Sequence, residues 1–155
     1  MVDRVRSGGM TTSNMQRAAA AVGAGFLLVG VLGFVPGITT DYDSMEFAGH
    51  ESDAQLLGVF EVSILHNLVH LLFGVAGLAA ARAYKSSVNY LLGGGVIYLV
   101  LWVYGLLIDH ESSANFVPVN DADNWLHFAL GLLMLGLGYA ARSADTRGDR
   151  GAQYS

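Results

Sequence analysis

Residues 61–81 read EVSILHNLVHLLFGVAGLAAA, an apolar run that carries His66, Asn67 and His70 where a membrane-crossing helix is ordinarily hydrocarbon. On a helix, residues three and four apart share a side, so Ser63, Asn67, His70, Gly74 and Gly77 form one stripe with His66 beside it. The stripe predicts a helix contact with polar groups at its outer end.

The pattern occurs a second time. His66-Asn67-Leu68-Val69-His70 followed by Gly74 aligns with Asp123-Asn124-Trp125-Leu126-His127 followed by Gly131 at a constant offset of 57, and Ser63 aligns with Asn120. Five matched positions, each inside or at the mouth of an apolar segment, predict an internal duplication.

At 155 residues the chain is one domain at most. It is 53% hydrophobic and 14% charged, with a mean hydropathy of +0.45, too apolar for a soluble domain unless much of its surface meets lipid. The absence of cysteine removes disulfides and thiolate metal sites. No basic, aromatic-interleaved surface points to nucleic acid, and no G-x-S-x-G or comparable nucleophile motif points to a hydrolase.

Outward from the central run, residues 1–17 are polar and basic and predict a flexible cytoplasmic tail, with Met1, Met10 and Met15 as candidate starts. Residues 18–35 carry no charge and approach the ~20 residues that cross a bilayer. Val35-Pro36-Gly37 follows instead of a small-x-small cleavage site, so an uncleaved first span is expected. A polar loop, 36–53, leads to a second span over about residues 54–81, closed by Arg82, with Glu61 at the outer water interface. His70 lies ~18 Å from Arg82 along a helix, inside the hydrocarbon. The third span covers 89–108, with Tyr98, Trp102 and Gly105 on one face. A second acidic loop holds Pro118, and the fourth span covers about 120–141, closing at Arg142. His127 lies ~22 Å from Arg142, a depth near that of His70. The expected domain organisation is therefore a tail over 1–17, a transmembrane domain over 18–142 and a disordered tail over 143–155.

All eight Lys and Arg residues fall in the two tails or the 82–88 turn, and none in either acidic loop. The positive-inside rule puts those segments, and both termini, in the cytoplasm. Each half is then an out-and-back hairpin of the same orientation. Gly23, Phe26 and Gly33 match Gly95, Tyr98 and Gly105 at an offset of 72. Parallel repeats related by an axis along the membrane normal would bring spans two and four face to face. The expected fold class is an all-α integral membrane four-helix bundle of two parallel helical-hairpin repeats, held by close approach at small residues.

Three roles compete for the polar cluster. In the first, His66, Asn67 and His70 bond to Asp123, Asn124 and His127 across the axis, with Ser63 and Asn120 as caps. The cluster then organises the bundle, and its partners are the lipid bilayer and a second copy or another membrane protein. In the second, His66, His70, Asp123 and His127 hold a divalent metal such as Zn²⁺, or His70 and His127 are axial ligands of one haem, in a redox or sensor protein. The third, transport or proton relay, is opposed by the want of a charged residue in the inner half of any span, which leaves room only for a partial vestibule open to the outside. His50 and His110 read as surface residues.

The motifs GVLGFVPGIT (30–39), LLGVFEVSILHNLVHLLFGVAGL (56–78) and VPVNDADNWLHFALG (117–131) make the chain resemble a bacterial family of four-span integral membrane proteins of unknown function. The resemblance covers about residues 18–141. It implies the four-helix membrane fold and a bacterial plasma membrane, and it implies no activity, cofactor or catalytic residue. Serine at Ser63 departs from the asparagine of that family's pattern.

Overall fold

Capping decides where the helices begin. In the computed structural model, which describes the backbone of residues 13–152 and the side chains of residues 13–140, Ser13 accepts from the Gln16 N–H while the Gln16 side chain accepts from the Ser13 N–H. This reciprocal box opens α1, Asn14–Leu32. Thr39, 1% exposed, ends it by donating to the Leu32 and Gly33 carbonyls, which have no intrahelical partner.

The segment expected to be the outer part of span two is not helical. A β-hairpin of β2 (Gln55–Leu56) and β3 (Phe60–Glu61) occupies it, and β2 also pairs antiparallel with β1 (Thr39–Thr40). Leu57 and Gly58 form the turn with φ of 57° and 68°, the left-handed pair that tight hairpins use. Ser63, fully buried and extended, then accepts from the His66 N–H and starts α2 at Ile64–Ala80. Hydrophobicity alone carries no start signal; the buried serine does.

α3 spans Tyr84–Leu107 and α4 spans Asp121–Ala152. The helical backbone of α4 thus continues past Arg142, through ten residues assigned from sequence to a disordered tail; residues 1–12 of the other tail lie outside the described residues. Among the described residues the fold is mostly helical, with four α-helices, a 3-10 turn at Tyr42–Ser44 and a minimal sheet. α1 and α3 are long and apolar enough to cross a membrane, and α2 is a shorter apolar helix of 17 residues.

The helices pair as two hairpins, α1 with α2 and α3 with α4, because glycines let the backbones touch. A Cβ built on Gly23 would lie 2.9 Å from the Gly74 carbonyl oxygen, and one on Gly95 would lie 2.9 Å from that of Gly131. Between hairpins the closest approach is α1 to α3, where Phe26 stacks on Tyr98 with centroids 5.3 Å apart at 18°. α2 and α4 do not pack backbone to backbone as their polar stripes led one to expect. The aromatic pair fills the centre instead and leaves α2 and α4 across a gap that only side chains bridge.

Candidate functional site

The polar residues of α2 and α4 reach across this gap to backbone, not to one another. His66, 5% exposed, donates from Nδ1 to the carbonyl oxygen of Pro118 at 3.1 Å. A carbonyl can only accept, so Nδ1 carries the proton. Asp123, 3% exposed, accepts at Oδ2 from the Glu61 N–H at 3.0 Å and from the Asn120 N–H at 3.1 Å. His66 and Asp123 are 57 residues apart, as are Glu61 and Pro118. Each hairpin therefore grips the segment that leads into the other's polar helix, once with a donor and once with an acceptor.

Of the remaining members, only Asn120 also reaches the other half. Asn67 lies against Gly33, where an added Cβ would stand 2.0 Å from its Oδ1, and Asn124 lies against Gly105, with the same clash at 1.8 Å. Both Oδ1 atoms are buried without a hydrogen bond. Ser63 and Asn120 cap α2 and α4, Asn120 Oδ1 accepting from the Asp123 N–H at 3.0 Å. The Asn120 amide also donates to the Val59 carbonyl of the β-hairpin at 2.8 Å. His70 donates from Nδ1 to the His66 carbonyl at 3.0 Å, and its ring meets Phe26 edge-on at 5.7 Å. His127 meets Tyr98 edge-on at 5.2 Å, but its Nδ1 is buried with no partner. From one end to the other, His70, Phe26, Tyr98 and His127 form a continuous aromatic row.

Sequence spacing thus brings the right side chains together but assigns their partners wrongly. The proposed haem ligands His70 and His127 line the same two hollows, and Phe26 and Tyr98 connect their rings in one row along the side. The proposed metal ligands do not converge. Among the described residues no three His, Cys, Asp or Glu side chains are placed to hold a metal ion, and Asp123 Oδ2 already accepts two backbone N–H groups. A metal therefore does not fit the four side chains as they stand.

Two hollows flank the imidazoles, and His66, His70 and His127 line both. One, of about 120 Å³, lies on the α2/α3 side with Tyr98 and Phe116 in its wall. The other, about 210 Å³, is bounded by α1, α4 and the β-hairpin, with Phe60 and Leu57 over it. It shares Val29, His70, Leu126 and Leu130 with an apolar cleft of about 380 Å³ between α1 and α4.

The outer loops are more ordered than their acidity suggested. Asn115, 1% exposed, ties its loop together by bonds to His110 O, Val119 O and Val119 N, and Ser52 bonds Val62 O and Glu46 N. His110, expected at the surface, is partly buried and donates from Nε2 to Gly105 O at 2.9 Å. Outside the helices, burial pushes the Glu61 carboxyl above its ordinary 4.5, with His110 opposing the shift and Glu111 and Asp53 adding to it. The signal for Asn115 was a short polar residue inside a segment rich in Ser and Pro, the setting in which a side chain substitutes for missing backbone partners.

A family model described as Domain of unknown function (DUF4383) matches residues 16–140. No curated protein and no solved structure matches the chain.

Proposed function

We propose, for a chain that belongs to the DUF4383 family, an integral membrane protein of four spans in the bacterial plasma membrane. It is built from two tandem hairpins with both termini cytoplasmic, and its buried polar cluster locks the halves together beneath an outer cap. The role is non-enzymatic: the cluster sets the geometry of the bundle, and the outer cap and lipid-facing helices meet the bilayer and a partner, either a second copy or another membrane protein.

The reciprocal pair, His66 to the Pro118 carbonyl and Asp123 to the Glu61 N–H, carries this reading. In hydrocarbon an unpaired polar group costs several kcal/mol, so buried polar residues that each spend a bond on the opposite half favour one relative placement of the hairpins. The apolar lengths of α1 and α3, the exposed Leu72, Val100 and Leu107, and the exposed Trp125 at the outer end of α4 support insertion in lipid.

The absence of native cysteine makes topology directly testable. Three single variants at exposed positions, Asp53→Cys, Ser113→Cys and Ser86→Cys, are labelled in intact cells with a membrane-impermeant maleimide. The first two are expected to react in intact cells and the third only after permeabilisation. Labelling of Ser86→Cys in intact cells, or of all three alike, contradicts four spans with internal termini.

A further inference from the structure

The hollow between α1, α4 and the β-hairpin has properties that bundle locking does not use. We propose that it binds the ring of a membrane-soluble quinol, with the isoprenoid or alkyl tail lying in the α1/α4 cleft. The proposal rests on the membrane reading above. Four observations lead to it, each restricting what the occupant can be.

Tautomers restrict the polar end. His66 and His70 both spend Nδ1–H on backbone carbonyls, so Nε2 is the polar atom each ring can offer an occupant, an acceptor in the neutral tautomer. His127, only 5% exposed, has Nδ1 with no partner at all. A hydroxyl group, which both donates and accepts, can serve Nε2 of His66 and His70 and meets Nδ1 of His127 in either tautomer, whereas a hydrocarbon serves none of them. Unmatched buried polar atoms of this kind are otherwise destabilising.

Size and shape restrict the ring. The hollow, about 210 Å³, exceeds the roughly 150 Å³ apolar cavity that takes up benzene, so one substituted six-membered ring fits. Phe60 and the imidazoles in its wall offer edge-to-face contacts to a flat aromatic guest. An aliphatic alcohol would leave those faces unused.

The cleft restricts the tail. Its walls, Ala21, Val22, Gly25 and Phe26 on α1 with Leu126 and Leu130 on α4, are entirely apolar apart from His70 at its end. It runs into the hollow through shared residues, and α1 and α4 touch sparingly along it. Together the two spaces, about 210 and 380 Å³, reach the ~300–1,000 Å³ of small-molecule sites. Glycine at Gly25 matters here, since a Cβ would meet nothing within 4 Å and a larger side chain would enter the cleft.

The hairpin restricts entry. Leu57, in the left-handed region at φ 57°, occupies a position that favours Gly or Asn and strains a leucine. That placement sets Leu57, with Phe60, over the hollow on its outer side. The apolar side chains of Leu57 and Phe60 on that side favour a guest that enters from lipid.

The test is a thermal-unfolding titration of the purified full chain in nanodiscs under argon, with decylubiquinol, decylubiquinone and the dimethyl ether of decylubiquinol. Saturable stabilisation by the quinol is expected, with roughly tenfold weaker apparent affinity for the ether, which has the same ring and tail but no donor. His70→Phe keeps ring volume and is expected to abolish the preference for quinol over ether. Leu126→Trp narrows the cleft where it joins the hollow and is expected to weaken the quinol at least tenfold. Equal binding of quinol and ether marks a greasy cleft that any acyl chain fills, and it overturns the proposal. So does the absence of saturable stabilisation, or affinity unchanged in Leu126→Trp. Cysteine labelling reads topology separately, so a failed titration leaves the membrane assignment standing.

Discussion

The two hairpins make the same contacts with different residues. Gly33 faces Asn67 as Gly105 faces Asn124, Gly23 meets Gly74 as Gly95 meets Gly131, and Leu27 covers Gly74 as Leu99 covers Gly131. Phe26 edges His70 as Tyr98 edges His127. Where they differ, the difference is chemical: the α2 hairpin offers His66 as a donor at the position where the α4 hairpin offers Asp123 as an acceptor. Pro118 has a carbonyl but no N–H, so a donor is the only side chain that can engage it. Backbone packing repeats, and the polar exchange between halves is complementary instead of identical.

The comparison is broken most severely by removing its acceptor. Asp123→Ala strands the N–H groups of Glu61 and Asn120 at about 1–3 kcal/mol each, and is expected to lower stability in detergent more than any other single change in the cluster. Next come Gly23→Ala and Gly95→Ala, which drive a Cβ into facing backbone. Overpacking of this kind costs typically ~1–3 kcal/mol, and the two losses should agree closely, because the two crossings have the same geometry. If one proves silent, the hairpins are not equivalent.

A smaller loss is expected from His66→Phe, which retains volume and leaves only the Pro118 carbonyl without its donor; about 1 kcal/mol suits one neutral bond. Denaturant or thermal unfolding in one detergent ranks all four variants. The smallest effect concerns Glu61. Its carboxyl is held above the ordinary 4.5 chiefly by burial, so the folded state binds the proton more tightly than the unfolded chain. Stability is full below pH 4.5 and declines as pH rises through the folded value. Glu61→Gln should therefore raise the melting temperature slightly at neutral pH and change nothing below pH 4.5.

Much of this was legible in residues 61–81 and their echo at 118–131. Offsets of 57 and 72 named Ser63/Asn120, Asn67/Asn124, His70/His127 and Phe26/Tyr98, and each of these pairs occupies matching places in its hairpin. Partnership was not legible. A helical stripe says which side chains share a face, while the choice between side chain and backbone as a partner depends on how far apart the helices stand. The Phe26–Tyr98 stack sets that distance. The start of α2 was misplaced for a related reason, since residues 54–60 are as apolar as a span, and only the Leu57-Gly58 turn and the buried Ser63 mark them as a hairpin followed by a cap. The glycines were readable as contact points, but the carbonyls they expose to each other required coordinates.

The exchange between halves is tested most directly by amide hydrogen exchange at Glu61, measured in the native chain, in Asp123→Ala and in Asn67→Ala as a control from the other hairpin. The bond to Asp123 predicts that the Glu61 amide, 62 residues away in sequence, is protected in the native chain and in the control and loses that protection selectively in Asp123→Ala. A Glu61 amide that exchanges at the same rate with and without the Asp123 carboxylate would contradict the account.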